Sequence, residues 1–406
     1  MTICAPTARS VARAFAAAML LAFNVACVGH ASADESTLVE MDHKSWLARD
    51  GAPQGITALA LAPDGILWIG SEGGLFNFDG HTFNAFVPRP GEPDLPPGAA
   101  KTILATRDGA IWVGFRYGGA ARIFQGHVKI FTQADRLRLS HVDDIRQSSD
   151  GALWALHRQT NLIRFGTDGT WHVQTTPLGD SGGAIHDIFI DSSDTLWLAQ
   201  GGRLYRRPLN QSKYFPTEAQ ADWMFGFAET PDHGLWVNDS ITNAPGHPTG
   251  RTQHVDRNGK LLAQLPYDDN VYDILYAPDG ALIVLPTGEG ILRFSAPALT
   301  DRALLEKEVR DDIYDQKKGL SSDSPRVLLL DPDGNLWAGG ERGLDRFRKA
   351  RLVPFILKYG IANPYLCAGK TGDVWIVAGG TKEQIYKVSG PSTTVLWRKR
   401  PNVFMP

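Results

Sequence analysis

Several features that define other classes of protein are scarce in this sequence. Its 406 residues include three cysteines, and two of them, Cys4 and Cys27, fall within the first 33 residues. If that segment is removed, no intramolecular disulfide can form, and the fold must rest on packing. The net charge of -3 argues against a nucleic-acid partner, which normally meets a basic patch. After residue 33, no apolar run approaches the roughly 18 residues of a membrane span.

Motifs of common catalytic centres are also missing. The sequence has no GxSxG elbow, no HExxH, no CxxC pair and no phosphate loop. The stretch from Asp331 to Asn335 resembles the start of a calcium loop, but Arg342 stands where a bidentate Glu is required, so we predict a hairpin turn. The histidines are scattered without ligand spacing. We therefore predict no metal, no cofactor and no catalytic activity for this chain.

The first 33 residues have the three parts of a secretory signal: a positive start, an apolar core at 14–28 and a small-residue cleavage site ending at Ala33. This pattern predicts export, to a bacterial periplasm. A lipoprotein attached through Cys27 is the alternative, although the motif before that residue is imperfect. Cleavage leaves Cys367 as the only mature cysteine, and its apolar surroundings predict a buried core residue.

One short phrase recurs along the rest of the chain. In 64–86, DGILWIGSEGGLFNFDGHTFNAF, tight turns separate short strands, which predicts a four-stranded antiparallel meander together with 56–62 in front. The central Trp recurs as Trp68, Trp112, Trp154, Trp197, Trp236, Trp337 and Trp375, with Ile283 in the missing place. A repeat near 40 to 45 residues with four strands per unit is typical of a β-propeller, in which each unit is one blade.

The repeats therefore predict an all-β fold, a β-propeller of four-stranded antiparallel blades, with seven blades plus an eighth repeat. Repeats one to seven occupy 37–348. The eighth, 349–406, is an eighth blade or the start of a second propeller, and a closed eight-bladed ring is the structural alternative. The segment from Leu38 to Met41 is predicted to pair with the last blade and cover its open edge. Apolar residues at helical spacing predict a surface helix within 296–318.

The repeats resemble those of the two-component regulator propellers, which form the periplasmic sensor of bacterial histidine kinases. The resemblance is carried by SWLARDGAPQGITALALAPDGILWIGSEGGLFNFDGHTF, DGAIWVGFRYGG and KKGLSSDSPRVLLLDPDGNLWAGGERGLDRFR, and it covers 40–350 well and 351–406 loosely. In that family, two seven-bladed propellers usually precede a β-sandwich, a membrane helix and the kinase. Those later parts are missing here. The resemblance thus implies either the truncated sensing part of such a kinase, with membrane contact only through missing downstream segments, or a stand-alone exported propeller.

Propeller geometry predicts where a ligand binds. If the strands of a unit are labelled a to d in chain order, the a–b turns here are uniform Asp-Gly hairpins, whereas the b–c turns differ and converge at one channel mouth. Arg116 beside Tyr117 suits a sugar ring or a carboxylate. The alternative is a solvated Arg116 with Tyr117 packed on the next blade. The predicted ligand-binding residues are Glu72, Arg116, Tyr117, His157, Arg158, Asn238 and Asp239.

These patterns and the resemblance together predict a periplasmic ligand-sensing propeller module of a two-component receptor, without catalytic output. The expected partners are a small molecule or oligosaccharide and a second copy in a homodimer. A stand-alone exported binding protein is one alternative. A propeller lyase or glycan-active enzyme is another, for which Glu72, His157 and Asp239 are the candidate catalytic residues.

Overall fold

The structure is a computed structural model of the whole chain. It describes residues 38–132, 140–159, 161–179, 183–222, 224–240, 250–265, 271–296, 299, 313–349, 362–369, 373–379, 384–389 and 392–398. The signal segment and most of the predicted helix at 296–318 lie outside the described residues. The chain divides into two compact units, Met1–Ala350 and Arg351–Pro406. Within the ranges given above, no helix has the length and apolar character needed to cross a membrane.

The described part of the first unit forms seven antiparallel sheets, numbered here in chain order. Sheet one contains β2 (Ile56–Leu61), β3 (Leu67–Ser71), β4 (Gly74–Phe78) and β5 (Phe83–Ala85). Sheet two contains β6 (Ala100–Ala105), β7 (Ile111–Phe115), β8 (Ala120–Phe124) and β9 (His127–Phe131). Sheet three contains β10 (Val142–Gln147), β11 (Leu153–His157), β12 (Asn161–Phe165) and β13 (Trp171–Val173). Sheet four contains β14 (Ile185–Ile190), β15 (Thr195–Gln200), β16 (Gly202–Pro208) and β17 (Phe215–Ala221).

The remaining sheets follow the same plan. Sheet five contains β18 (Met224–Glu229), β19 (Leu235–Ser240), β20 (Gly250–Val255) and β21 (Leu261–Leu265). Sheet six contains β22 (Val271–Tyr276), β23 (Leu282–Pro286) and β24 (Leu292–Phe294). Sheet seven contains β25 (Pro325–Leu330), β26 (Leu336–Gly340), β27 (Gly343–Arg348) and the early strand β1 (Asp42–Leu47). Short 3-10 helices occupy Leu38–Glu40, Ala48–Asp50 and Gln316–Lys318.

The Asp-Gly turns predicted between strands a and b are present. In sheet one the Asp64 side chain accepts a hydrogen bond from the backbone N–H of Ile66 at 3.1 Å. Gly65 follows with a φ of 84°, a conformation that costs glycine little because it has no Cβ atom. Gly334 repeats this geometry in sheet seven with a φ of 79°. The local sequence therefore determines these turns.

In the first unit, the tryptophans of the repeat pack between adjacent sheets. Trp197 of sheet four is fully buried and packs with Leu235 and Val237 of sheet five. Trp337 of sheet seven packs in one cluster with Leu67 and Phe78 of sheet one. Each sheet thus buries its faces only through its neighbours, as a repeat architecture requires.

The early strand β1 closes the edge of sheet seven. It pairs antiparallel with β27, from Asp42 opposite Arg348 to Leu47 opposite Gly343. The prediction that an N-terminal segment pairs with the last blade is confirmed, but the segment Leu38 to Met41 was wrong. Leu38–Glu40 is a 3-10 helix, because Leu38 packs into the apolar cluster between sheets six and seven instead of alternating along a strand.

The inner strands follow one another around a closed circuit. β2 lies beside β6, the series continues sheet by sheet to β25, and β25 lies beside β2. The seven sheets of the first unit thus form a closed circuit, and the number of blades in the whole chain remains a prediction.

The second unit contains a single described sheet. Its strands are β28 (Ala362–Ala368), β29 (Val374–Gly379), β30 (Gln384–Ser389) and β31 (Ser392–Arg398), paired in that order. The prediction that Cys367 is buried was wrong, since it is exposed. Cys367 lies on the edge strand β28, where Tyr365 is 74% and Leu366 68% exposed. Whether this repeat is a blade or the start of a second propeller remains a prediction.

Candidate functional site

Every inner strand of the first unit has a shift of register near its start. In β2 the shift falls between Ile56 and Ala58, so Thr57 leaves the ladder. Lys101 in β6 and Asp143 in β10 occupy the same place. A bulge turns a side chain away from the regular pleat, and bulges are frequent next to active sites. Because these strands start beside the b–c turns, the bulged residues and those turns share one side of the sheets, here called the linker face.

A compact group of charges lies on the linker face between sheets two and three. Asp143 Oδ1 is 3.1 Å from Lys101 Nζ and 2.9 Å from His141 Nε2. The backbone N–H of Gln159 donates to Asp143 Oδ2 at 3.1 Å. The Asp143 side chain is buried, whereas Lys101 remains partly exposed. We call Lys101, His141 and Asp143 the Asp143 cluster.

Two of the predicted ligand-binding residues stand next to the Asp143 cluster. Tyr117 is 64% exposed, and its ring centroid is 6.3 Å from that of His141. The Arg116 guanidinium carbon is 5.9 Å from the Tyr117 ring. The turn is held close to the proline-rich link, because a Cβ atom on Gly118 would lie 2.5 Å from Pro96 Cβ. An exposed aromatic ring and a cation are therefore presented on a fixed turn.

His157 and Arg158 complete this sector of the linker face. His157 is buried, and its Nε2 accepts the backbone N–H of Ser140 at 3.4 Å. Burial lowers the pKa of His157, and the charge of Arg158 lowers it further. Arg158 is exposed with a φ of 58°, and its backbone N–H donates to the His141 carbonyl at 3.3 Å. The structure thus brings four of the seven predicted residues together around Asp143.

Glu72 lies elsewhere on the linker face, between sheets seven and one. Its Oε1 is 3.4 Å from Arg326 Nη1, and Arg326 Nη2 is 2.8 Å from Glu341 Oε1. Arg326 is the bulged residue of β25. One arginine therefore links the b–c turns of two neighbouring sheets.

Asn238 and Asp239 do not lie in a turn, so that part of the prediction was wrong. Both belong to β19 and are fully buried, because the pairing of β19 with β20 continues to Ser240 opposite Gly250. Asn238 Nδ2 donates to Thr252 Oγ1 at 3.1 Å. Asp239 Oδ2 is 2.5 Å from Arg251 Nη2, which also contacts Asp222. Their proposed role in ligand binding remains a prediction.

A set of charges inside the channel was not predicted from the sequence. Asp144, Asp187 and Asp273 occupy equivalent positions of β10, β14 and β22 and line a space of about 550 Å³ between the inner strands. Asp144 accepts a hydrogen bond from Thr102 Oγ1 at 3.1 Å and lies 2.6 Å from Arg146 Nε. The signal was present, because each of these aspartates precedes an isoleucine and stands ten positions before the marker residue of its repeat.

This environment changes the acidity of two of the aspartates. Burial, together with the nearby charge of Asp144, raises the pKa of Asp187 to about 8. Burial also raises the pKa of Asp273 to about 7, against hydrogen bonds from the backbone N–H groups of Leu328 and Ile274. Near neutral pH Asp187 therefore holds its proton and can donate a hydrogen bond, whereas Asp273 titrates in that range. In the part of the chain that the structure describes, no group of three or more His, Cys, Asp or Glu is arranged to hold a metal ion.

Neither a family model nor a curated protein matches the sequence. Solved structures do match. The extracellular domain of a hybrid two-component system from B. thetaiotaomicron is 14% identical, with 87% of this chain and 49% of that chain covered and a TM-score of 0.61. Catalytically inactive virginiamycin B lyase from Staphylococcus aureus with quinupristin is 16% identical, with 76% and 99% covered and a TM-score of 0.57. The Dos1 propeller is 13% identical, with 89% and 96% covered and a TM-score of 0.53.

This chain spans about half the length of the two-component relative. At such low identities, the likeness to these structures shows the fold and leaves the function to other arguments. The four-stranded sheets, their closed circuit and these neighbours agree. The chain has a β-propeller fold.

Proposed function

We propose that this chain is an exported, ligand-sensing propeller module of a two-component receptor, with no catalytic output of its own. The resemblance of its repeats to those of regulator propellers supports this proposal, as does the fold shared with the extracellular domain of a hybrid two-component system. The observation that carries it is the convergence of Arg116, Tyr117, His157 and Arg158 on the Asp143 cluster.

The chemistry of this sector suits a polar ligand with a carboxylate or a sugar ring. The exposed ring of Tyr117 offers a stacking surface, and Arg116 and Arg158 supply planar cations that can pair with a carboxylate. Asp143 holds Lys101 and His141 in place, so the site is organised before a ligand arrives. In a homodimeric receptor, ligand binding at this rigid face alters the arrangement of domains and so passes the signal onward.

The test is binding of a defined panel to the full mature chain by isothermal titration calorimetry. The panel contains neutral oligosaccharides and oligosaccharides that carry uronic acids. We expect one class to bind, and the double variant Arg116→Ala/Tyr117→Ala to lose about tenfold or more in affinity without a change in melting temperature. The control is Arg257→Ala, an exposed arginine in the c–d turn of sheet five on the opposite side. Equal losses in both variants, or none in either, contradict the proposed site.

The enzyme alternative has a specific test, because one structural neighbour is a lyase studied with quinupristin. We expect this chain to leave quinupristin intact during prolonged incubation, as followed by chromatography. The buried His157 already accepts a backbone N–H at its Nε2, which favours a structural role over proton transfer. A time-dependent loss of quinupristin that disappears in His157→Ala would instead identify an enzyme.

A further inference from the structure

An arginine is buried between sheets three and four without a charged partner. Arg207 is 8% exposed, and its guanidinium carbon lies 5.1 Å from the Trp154 ring and 4.9 Å from the Tyr214 ring. Among the described residues, no carboxylate forms an ion pair with it. A buried charge is costly unless something compensates it, and two aromatic faces do so only in part.

The unpaired atoms of Arg207 form one edge of its guanidinium. Its Nε and Nη2 are both buried, and neither has a hydrogen-bond partner in the described part of the protein. These two N–H groups are parallel and form the fork that binds the two oxygens of a carboxylate or phosphate. An aromatic ring attracts a guanidinium, but it accepts N–H hydrogens far more weakly than a carboxylate or phosphate does. The edge therefore has the geometry of a bidentate oxyanion site.

Two further buried donors belong to Trp154 itself and to Arg164, which is paired with it in sheet three. Arg164 is paired with Trp154 across β11 and β12, and its guanidinium carbon is 5.6 Å from the Trp154 ring. Arg164 Nε and Trp154 Nε1 are buried, and each lacks a partner among the described side chains and backbone. The carboxylate of the exposed Asp150 is 3.8 Å from Arg164 Nη2. Buried polar groups without partners are rare and call for a bound water or ion. The fork of N–H donors on Arg207 is complementary to an anion.

We propose that the interface of sheets three and four contains an oxyanion site, in which Arg207 binds an inorganic phosphate or sulfate, or the carboxylate of a ligand, through Nε and Nη2. Trp154 stands at the start of β11 and Arg207 near the end of β16. Both places are on the side of the a–b turns, away from the linker face. The site is therefore separate from the proposed ligand-sensing site.

The experiment is calorimetric titration of the full mature chain with inorganic phosphate, sulfate and acetate at constant ionic strength. We expect saturable binding with one site per chain. Arg207→Met keeps the length and apolar packing of the side chain and is expected to weaken binding at least tenfold. Arg207→Lys keeps the charge but not the fork, and is also expected to bind weakly. Arg206→Met, one residue earlier on β16, is the matched control and keeps the wild-type affinity.

The results of these titrations either support the oxyanion site or overturn it. Binding of phosphate or sulfate without acetate assigns an inorganic oxyanion, and equal binding of acetate assigns a ligand carboxylate. If water alone satisfies the donors, the wild type shows no saturable binding, and the proposal is overturned. Equal stabilisation of all variants by salt also overturns it, because that is a general solvent effect. Should Arg207→Met fail to fold, Arg207→Lys and Arg164→Met decide the result. The double variant Arg116→Ala/Tyr117→Ala keeps its phosphate binding, so failure of one site does not imply failure of the other.

Discussion

Sheets three and seven are built from the same repeat but use it differently. In sheet seven the indole N–H of Trp337 donates to Asp331 Oδ2 at 2.9 Å. In sheet three the matching Trp154 has no such partner among the described residues, and Ser148 stands at the position of Asp331. The seventh sheet therefore satisfies the indole N–H of its marker tryptophan, whereas the third, within the described ranges, leaves that of Trp154 unpaired.

The same contrast is seen on the inner strands. Where β10 of sheet three places Asp144 and Arg146, β25 of sheet seven has Val327 and Leu329. The backbone pairing, including the bulge, is the same in both. The repeat thus supplies a fixed backbone frame, in which individual sheets carry polar residues at positions that are apolar in other sheets.

The largest loss of stability is expected when Asp331 of sheet seven is replaced. Asp331 accepts four hydrogen bonds, from the backbone N–H groups of Asp333 and Asn335, from Asn335 Nδ2 and from Trp337. Asp331→Ser is expected to lower the free energy of unfolding by about 3 kcal/mol, because buried donors lose a charged acceptor. Chemical denaturation measures this loss. Ser148→Ala is the matched change in sheet three. If it lowers the free energy of unfolding as much as Asp331→Ser does, Asp331 has no special role as an acceptor in sheet seven.

The aspartates inside the channel predict that the stability of the protein depends on pH. Asp187 has a pKa of about 8 when folded against the usual 3.8 of an aspartate, so between those values the folded state holds a proton that the unfolded state has released. Stability contributed by Asp187 therefore falls as the pH rises from about 4 to about 8. Asp144, Asp273 and Arg146 are the charged groups that act on Asp187 across the channel.

The variant Asp187→Asn removes this titration. It is expected to gain roughly 2 kcal/mol or more at pH 8 relative to the wild type and to change little at pH 4. Urea denaturation at several pH values measures the difference between the two curves. Parallel curves for variant and wild type would show that the burial of Asp187 does not hold its proton.

The smallest expected effect is the difference in destabilisation between Trp337→Phe and Trp154→Phe. Trp337→Phe removes both packing and the hydrogen bond to Asp331, whereas Trp154→Phe removes packing and a donor without a protein partner. We expect Trp337→Phe to be the more destabilising by about 1 kcal/mol. Thermal unfolding of the two variants in phosphate-free buffer makes this comparison. A reversed order would mean that the indole of Trp154 has a partner of its own.

Most of the fold could be predicted from local sequence patterns. The Asp-Gly turns, the marker tryptophans and the period of the repeat each depend on neighbouring residues, and all were read correctly for the described sheets. The closing strand was misplaced by a few residues, because DHKSWL has only two apolar positions and TLVEMD alternates more clearly. The exposure of Cys367 could not be predicted either, since apolar composition does not tell whether a neighbouring sheet covers a strand.

The site was harder to predict than the fold. Arg116, Tyr117 and Arg158 were predicted from the variation of the b–c turns. His157 was predicted with them, but it is the buried last residue of β11 and not part of a turn. Their meeting with the Asp143 cluster depends on strand bulges, which leave no clear mark in a single sequence. The channel aspartates were missed because each one, taken alone, resembles an ordinary polar residue of a half-buried strand.

The closing strand β1 can pair only after its partner β27, far along the chain, has been synthesised. His43 on β1 lies 2.9 Å from Asp345 on β27, a partner 302 positions later in the chain. At a synthesis rate of about 5 to 20 residues per second, β1 is made roughly 15 to 60 seconds before its partner. During that interval the backbone groups of the strand are unpaired and its tryptophan is uncovered. A chaperone that binds such segments can therefore determine what fraction of the newly made chains folds.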